Sequence, residues 1–181
     1  MAWSVPLTAV SNATLTAAQW NASVRDNLLE TAPAKATAAG RLMVTTGANA
    51  IAERVPTTQT IATAQTTLST SYVDLTTVGP SVTVTTGTAA IIILTARINV
   101  NTASIQGNMG YAVSGASTIA ASDNRCLRAE TAGTGEFNRS SMVTMDTTLT
   151  AGSNTFTAKY HSGNASATVE FADREILVIP L

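Results

Sequence analysis

A four-residue spacing of apolar side chains marks the first structured part of the chain. Trp20, Val24 and Leu28 recur at this interval and fall on one face of a helix. The pattern predicts a helix over about residues 16–30 with a narrow apolar stripe. A helix of this length is marginal on its own in water. The stripe is therefore expected to pack against another surface.

The sequence also carries signals for both ends of this helix. Thr16 followed three residues later by Gln19 fits a capping box, in which each side chain bonds a backbone N–H near the other. Leu15, just before the cap, is placed to pack on Trp20. Pro33 biases the preceding residue away from the helical region, so we expect it to end the helix.

A small hairpin and a linker are predicted to follow. Two short runs, Arg41–Thr45 and Ala50–Val55, flank Thr46-Gly47-Ala48-Asn49, and Gly and Asn tolerate the positive φ of a hairpin turn. The pattern predicts a hairpin over about residues 40–55, which completes an N-terminal arm of residues 1–56. Residues 57–67 are Thr-rich and almost uncharged, and we expect an extended linker there.

The remainder, residues 68–181, alternates strand and turn signals every 8 to 12 residues or so, which is typical of an all-β sandwich or barrel. Gly and Pro pairs such as Gly79-Pro80 separate the segments. The predicted strands are Tyr72–Thr77, Ser81–Thr85, Ala89–Val100, Gln106–Val113, Arg125–Ala129, Phe137–Leu149, Asn154–Tyr160, Thr168–Phe171 and Glu175–Leu181.

Two of these strands are apolar on both faces and therefore need cover on both. A second subunit covers the extra face if the domain is an oligomer, and a loop covers it if the strand is central in a monomer. We favour the subunit, and expect a trimer interface formed by Ile91, Ile92, Ile93, Leu94, Ile176, Leu177, Val178 and Ile179.

Charge and hydropathy exclude several classes of partner. Charged residues make up 12% of the chain and the net charge is -1, so no basic surface for nucleic acid or an anionic membrane is expected. The longest apolar run, 89–94, is too short to span a bilayer. The first ten residues carry no charge and are interrupted by Ser4, Pro6 and Thr8, so no secretory signal is expected.

The sequence offers little catalytic chemistry. His161 is the only histidine, and it is expected at the surface because no spacing pairs it with a carboxylate and a nucleophile. Cys126 lies between two arginines that would lower its pKa, but a small, buried, inert side chain is the preferred interpretation. No cysteine or histidine cluster has metal-ligand spacing, so neither a metal nor another cofactor is expected.

Carboxylates leave one enzymatic alternative open, a small glycan-cleaving enzyme with two converging acids. Calcium binding by Asp123, Asn124 and Glu130 lacks the spacing of an EF-hand loop. The acids scattered through the β region are Asp74, Asp123, Glu130, Glu136, Asp146, Glu170, Asp173 and Glu175.

Several segments resemble structural proteins of tailed bacteriophages. LTAAQWNASVRDNLLETAP, with Trp3 and Pro6 before it, is similar to the leading segment of phage head or tail surface proteins. GRLMVTTGANAIAERVP resembles the GDLLYATGANAL-type unit of phage fibres, with Arg41 where that unit usually has Asp. SYVDLTTVGPSVTVTTGTAAIIILTARINV and the C-terminal ATVEFADREILVIPL resemble trimeric jelly rolls of the tumour-necrosis-factor-like kind.

The resemblance implies a mainly β protein, with a trimeric jelly-roll sandwich behind an N-terminal arm of one helix and one hairpin. It implies a non-enzymatic structural protein of a phage virion, and head and tail proteins share these motifs. We expect a capsid decoration protein, made in the host cytoplasm, that lies on the capsid exterior and binds the major capsid protein. The size of one short arm and one compact domain favours decoration over a long fibre. The residues expected to anchor the arm are Trp3, Leu15, Trp20, Val24 and Leu28.

The alternative is a tail-fibre or receptor-binding tip. Its partners would be tail proteins and a host surface glycan, contacted by the loops Ser114–Asn124 and Ala129–Glu136.

Overall fold

A computed structural model gives the positions of residues 3–8, 10–132 and 135–181. The chain divides into an N-terminal unit that ends at Val55 and a β unit, Pro56–Leu181. The protein is mainly β, with 48% strand and 11% helix, as the sequence predicts. Within the described ranges, no helix combines the length and apolar character needed to cross a membrane.

The predicted helix is present, with a change of hydrogen-bonding pattern in its middle. It begins as α1, Ala17–Trp20, continues as a π-helical stretch, Asn21–Arg25, and ends as α2, Asp26–Leu28. The capping box is confirmed, since Gln19 N donates to Thr16 Oγ1 at 3.2 Å and Thr16 N donates to Gln19 Oε1 at 3.0 Å.

The end of this helix differs from the prediction. Pro33 does not terminate it, because Pro33 lies in the first turn of a separate short helix, α3, Ala32–Lys35. The missing N–H of proline costs nothing in a first turn, where amides have no helical acceptor. A salt bridge of 2.8 Å joins Lys35 Nζ to Glu30 Oε2 across the break.

The hairpin of the N-terminal unit lies where the sequence predicts it. Strand β1, Leu42–Gly47, pairs antiparallel with β2, Ala50–Arg54. Asn49 adopts the positive φ of 55° in the connecting turn. The turn chemistry of the sequence therefore located the hairpin correctly.

The β unit contains two antiparallel sheets. Sheet I has the strand order β3-β11-β6-β9, with β4 also paired to β11, and sheet II has the order β5-β10-β7-β8. The strands are β3 Thr57–Ile61, β4 Gln65–Thr67, β5 Ser81–Thr86, β6 Ala90–Val100, β7 Gln106–Gly115, β8 Cys126–Glu130, β9 Asn138–Asp146, β10 Gly152–Ser162 and β11 Val169–Pro180.

Three segments of the β unit differ from the sequence interpretation. The predicted strands Thr168–Phe171 and Glu175–Leu181 form one strand, β11, with a bulge between Ala172 and Glu175. Residues 57–67, predicted as a linker, form β3 and β4 and extend sheet I through pairing with β11. Threonine favours strands, and the acceptor strand lies more than a hundred residues away, so local sequence gave no sign of the pairing. Conversely, Tyr72–Thr77 contributes only an isolated bridge between Val73 and Tyr160 rather than a strand.

One hydrophobic core lies between the two sheets. Along β6, buried and partly exposed side chains alternate without interruption, as period-two geometry requires. Fully buried side chains from both sheets make up the core, among them Ile92, Leu94, Ile98, Met109, Tyr111, Phe156, Tyr160, Phe171, Ile176 and Val178.

Arg174 is fully buried in the β unit, which is unusual for arginine. It follows a bulge in β11, where Asp173 has a φ of 48°. Its Nη2 donates to the Thr63 carbonyl and to Gln65 Oε1, both at 3.2 Å, and its Nη1 donates to the Gly79 carbonyl at 3.4 Å. The guanidinium also lies 5.4 Å from the ring centroid of Tyr160. One buried cation thus joins two loops to the central strand.

We predict that Arg174→Ala lowers the free energy of unfolding of the β unit by about 3 kcal/mol or more, because hydrogen bonds to a charged donor contribute about 1.5 to 3 kcal/mol each. Arg174→Lys keeps the charge but cannot span three acceptors, so its loss should be intermediate. Urea unfolding followed by tyrosine near-UV circular dichroism reports this unit, which holds all three tyrosines. A loss below about 1 kcal/mol for the alanine variant contradicts the assignment.

Candidate functional site

A polar clamp holds the start of the N-terminal unit against its helix. Asn27 is the only fully buried side chain among the described residues of this unit. Its Oδ1 accepts from Ser4 N at 2.9 Å, and its Nδ2 donates to the Ser4 carbonyl at 3.2 Å. Ser23 Oγ accepts from Leu7 N at 3.1 Å. The unit therefore uses amide and hydroxyl groups, rather than the apolar stripe, for this contact.

The apolar side chains of the helix point away from that clamp and stay accessible. Trp20 is 54% exposed and Leu28 is 59% exposed. Single exposed apolar side chains are common on protein surfaces, whereas contiguous exposed apolar patches mark interaction sites. The stripe predicted from sequence is present and uncovered.

Part of the stripe lines a groove with a volume of about 310 Å³, which we call the helix groove. Among the described residues, the side chains that line the helix groove carry no charge. Of the residues predicted to anchor the arm, the helix groove brings together Leu15, Trp20 and Val24. Its other lining residues are Leu7, Thr8, Val10, Ala13, Thr14, Gln19 and Ser23.

The remaining two predicted anchor residues lie elsewhere in the unit. Trp3 N donates to the Asn49 carbonyl at 3.0 Å, which places Trp3 beside the hairpin turn. Trp3 lines a separate depression of about 250 Å³ with Glu30 and hairpin residues. Leu28 is exposed outside both cavities.

The eight residues predicted for a trimer interface divide between the two faces of sheet I. Ile92, Leu94, Ile176 and Val178 point into the core with 0% exposure. They have no surface left for another subunit and are removed from the predicted interface. The cause is strand alternation, which places consecutive side chains on opposite faces.

The other four lie on the outer face of sheet I and meet two side chains that the sequence analysis missed. Met145, Ile91 and Ile179 form one cross-strand row, and Val143, Ile93 and Leu177 form the next. Val143 is 65% exposed and Met145 is 55% exposed. We call these six residues the apolar face. In the sequence, the apolar residues Met142, Val143 and Met145 were the signal that could have identified Val143 and Met145 as part of this face.

A cluster of polar side chains lies on the outer face of sheet II, and it changes the view of His161. This histidine is buried rather than exposed, so the prediction of a surface histidine is wrong. Its Nε2 lies 3.0 Å from Asp123 Oδ1, and its ring packs edge-on against Tyr72 with a centroid distance of 4.5 Å. Tyr72 Oη donates to the same carboxylate oxygen at 3.0 Å.

Gly110 makes room for this arrangement. A Cβ atom there would lie 2.8 Å from Cε1 of Tyr72, which is too close for a real contact. Because Gly110 has no side chain, the tyrosine ring lies directly over the sheet beside His161. Any larger residue at this position would displace the ring.

Cys126 belongs to the same cluster and is partly exposed, not buried as expected. Its Sγ donates to the Asp123 carbonyl at 3.3 Å. Both nitrogens of His161 face oxygen acceptors, since Nδ1 lies 2.9 Å from the Ser162 carbonyl and Nε2 faces Asp123. The thiol of Cys126 therefore donates to a backbone carbonyl and not to His161.

The cluster perturbs its own ionisable groups. The hydrogen bond from His161, and after it the one from Tyr72, hold the pKa of Asp123 below its ordinary value. Burial is the main cause that raises the pKa of Tyr72, with hydrogen bonds to Cys126 and Asp123 adding to it. Asp123 is therefore ionised and Tyr72 neutral at neutral pH.

The other predicted chemistry is dispersed. Asp74 pairs at 2.7 Å with Lys159 of sheet II. Asp146 of sheet I pairs at 3.2 Å with Arg125. Across the described ranges, no three His, Cys, Asp or Glu side chains are grouped to hold a metal ion. Of the two predicted glycan loops, Ser114–Asn124 supplies Asp123 to the cluster. Gly133 and Thr134 of the other lie outside the described residues.

The chain matches no protein-family model, and no curated protein is significantly similar to it in sequence. The helix groove, the apolar face and the polar cluster are the candidate sites of this protein.

We predict that Asp123→Asn lowers the melting temperature of the β unit at pH 6 and that the difference from the wild type shrinks below pH 4. A carboxyl with a lowered folded pKa stabilises above its unfolded pKa of about 3.9, and this stabilisation is lost as pH falls through the folded pKa. Melting curves between pH 6 and 2 measure both variants.

Glu130→Gln is the control, since Glu130 lies on the same sheet face and accepts a hydrogen bond of 2.9 Å from neutral Gln106. A difference between wild type and Asp123→Asn that stays constant from pH 5 to 2 contradicts the coupling.

Proposed function

We propose that this protein is a non-enzymatic structural protein of a phage virion, a homotrimeric capsid decoration protein. The β unit assembles through the apolar face, and the N-terminal unit attaches to the major capsid protein on the capsid exterior. The observation that carries the proposal is the apolar face, a contiguous set of six aliphatic side chains on one sheet surface.

The strand order supports a jelly roll. Sheet II has the strand order β5-β10-β7-β8. Sheet I has the order β11-β6-β9, with β3 beside β11, so each sheet has four strands in its main path. A jelly roll has eight strands in two four-stranded antiparallel sheets with this kind of crossing between layers.

The apolar face supports self-association on energetic grounds. Burying an aliphatic side chain of this size contributes about 1.5 to 3 kcal/mol, and six of them lie on each copy. Contiguous exposed apolar surfaces in otherwise polar proteins mark interfaces. The surrounding face of sheet I is hydroxyl-rich and charged, as the rim of an interface is.

The N-terminal unit supports attachment. Its helix contacts the rest of the unit through Asn27 and Ser23, while Trp20 and Leu28 remain exposed. A groove without charged lining suits apolar side chains of a protein partner. This role needs no catalytic site, and the polar cluster acts as a structural network of hydrogen bonds.

We predict that the full-length protein sediments as a trimer at micromolar concentration and that Ile93→Asp dissociates it. A carboxylate in the centre of the apolar face should raise the midpoint concentration of assembly at least about tenfold. Ser114→Asp is the matched control, because Ser114 is exposed on the outer face of sheet II. A folded wild-type monomer at these concentrations overturns the trimer.

We predict that Trp20→Ala abolishes or strongly weakens binding to particles that lack the protein. Truncating a packed tryptophan costs about 3 to 5 kcal/mol. The melting of the β unit, followed by tyrosine signals, should be unchanged. Leu29→Ala is the control, since Leu29 is equally exposed but lies outside the helix groove.

Normal binding by Trp20→Ala refutes the anchor, and lowered melting of the β unit assigns Trp20 to its core instead. Labelled protein found on tails rather than on heads would favour the alternative, a tail-fibre or receptor-binding tip.

A further inference from the structure

The polar half of the outer face of sheet I places two arginines side by side. Arg97 on β6 and Arg139 on β9 are direct partners in the antiparallel register, and both belong to the outward set of their strands. Side chains at such positions have Cβ atoms about 4.5 to 5.5 Å apart, and like charges there are unfavourable. Proteins keep local conflicts of this kind chiefly at functional positions.

Within the described part of the chain, only one of these two charges is balanced. Arg97 Nε lies 3.3 Å from Asp173 Oδ2, although without hydrogen-bond geometry. Arg139 is exposed and has no ion-pair partner among the same residues. Glu170 and Glu175 lie on β11, on the far side of β6 from Arg139. The two paired strands thus carry one positive charge that no carboxylate contacts.

An aromatic ring and a pair of hydroxyl groups border the two arginines. The Arg97 guanidinium stacks on Phe137 at 4.3 Å from the ring centroid, and Phe137 is 44% exposed. In the next cross-strand row, Thr95 Oγ1 and Ser141 Oγ are 2.8 Å apart. Since one hydroxyl of this pair donates to the other, the second keeps a proton to donate elsewhere.

These groups fit a carboxylate better than a phosphate. A guanidinium matches a planar carboxylate with two parallel N–H···O bonds. A carboxylate carries the single negative charge that the arginine pair lacks, whereas a phosphate monoester carries about 1.5 to 2 negative charges at neutral pH. The neighbouring hydroxyl pair suits a ligand that bears hydroxyl groups of its own.

We infer that Arg97 and Arg139 together bind the carboxylate of a sugar acid. Thr95 and Ser141 face the hydroxyl groups of this ligand, and Phe137 faces its C–H groups. The apolar face begins one row beyond the hydroxyl pair. The sugar-acid site therefore uses other side chains than the proposed trimer and does not depend on it.

Saturation-transfer NMR titrations of the full-length protein test the class of ligand. Glucuronate carries both a carboxylate and hydroxyl groups, acetate carries only the carboxylate, and glucose carries only hydroxyl groups. Glucuronate should bind saturably at millimolar concentration with a Kd at least about threefold below that of acetate. Glucose should give no saturable signal, and an equal concentration of inorganic phosphate should not displace glucuronate.

Two results of these titrations overturn the inference. One is the absence of saturable glucuronate binding by the wild type. The other is acetate, glucose or phosphate binding as tightly as glucuronate, since the carboxylate and the hydroxyl groups would then not be recognised together.

Variants of Arg139 test the site itself. Arg139→Gln should raise the Kd for glucuronate at least about tenfold, because it removes one charged fork. Arg139→Lys keeps a point charge without the fork, so its rise should be smaller. Arg128→Gln is the matched control, at an exposed position of β8 in sheet II, and should bind like the wild type. Wild-type affinity in Arg139→Gln contradicts the site.

Melting curves separate loss of the site from loss of the fold. Arg139→Gln removes the charge opposite Arg97, so its melting temperature without ligand should equal or exceed that of the wild type. Excess glucuronate should raise the melting temperature of the wild type and not that of Arg139→Gln. A lower melting temperature of the unliganded variant would show that the fold already balances Arg139, which overturns the inference.

Discussion

The alternation of side chains along β6, and along β11 on each side of its bulge, is the constraint on which the β unit depends. These long central strands carry isoleucine, leucine and valine at consecutive positions, so one half of their apolar side chains must lie outside the core. The inner half, with Ile92 and Ile176, joins the two sheets. The outer half forms the apolar face together with β9. In the proposed trimer, folding and assembly therefore use opposite faces of the same strands.

The sequence was informative wherever a signal was local. The capping box of Thr16 and Gln19, the turn at Asn49, and most strand positions after residue 80 follow from neighbouring residues. The linker interpretation of 57–67 was wrong because that segment becomes a strand only through β11, which lies far along the chain. The prediction that Pro33 ends the helix was wrong, because proline also fits the first turn of a helix and Pro33 lies in the first turn of α3.

The candidate sites show a similar division. The doubly apolar strands were expected to use all of their apolar side chains in an interface, whereas alternation places Ile92 and Ile176 in the core. His161 was missed for a different reason. Its partner Tyr72 lies on a loop and its partner Asp123 begins a short 3-10 helix, Asp123–Arg125. Tyr72 and Asp123 are 51 residues apart in sequence. No periodicity connects such residues, and only the fold of sheet II brings them together. The burial of Arg174 likewise depends on loops that come from distant parts of the chain.

The amide of Asn27 has a consequence for the energetics of the N-terminal unit. Asn27 is the only buried residue among the described residues of this unit. The unit therefore gains little free energy of folding from hydrophobic burial. Segments with few buried apolar contacts open locally at low free-energy cost, well before a core such as that of the β unit unfolds. In the proposed attachment, a partner that covers Trp20 would add the missing burial, and its binding would stabilise the unit by mass action. Binding and stabilisation of this unit would then be one thermodynamic event.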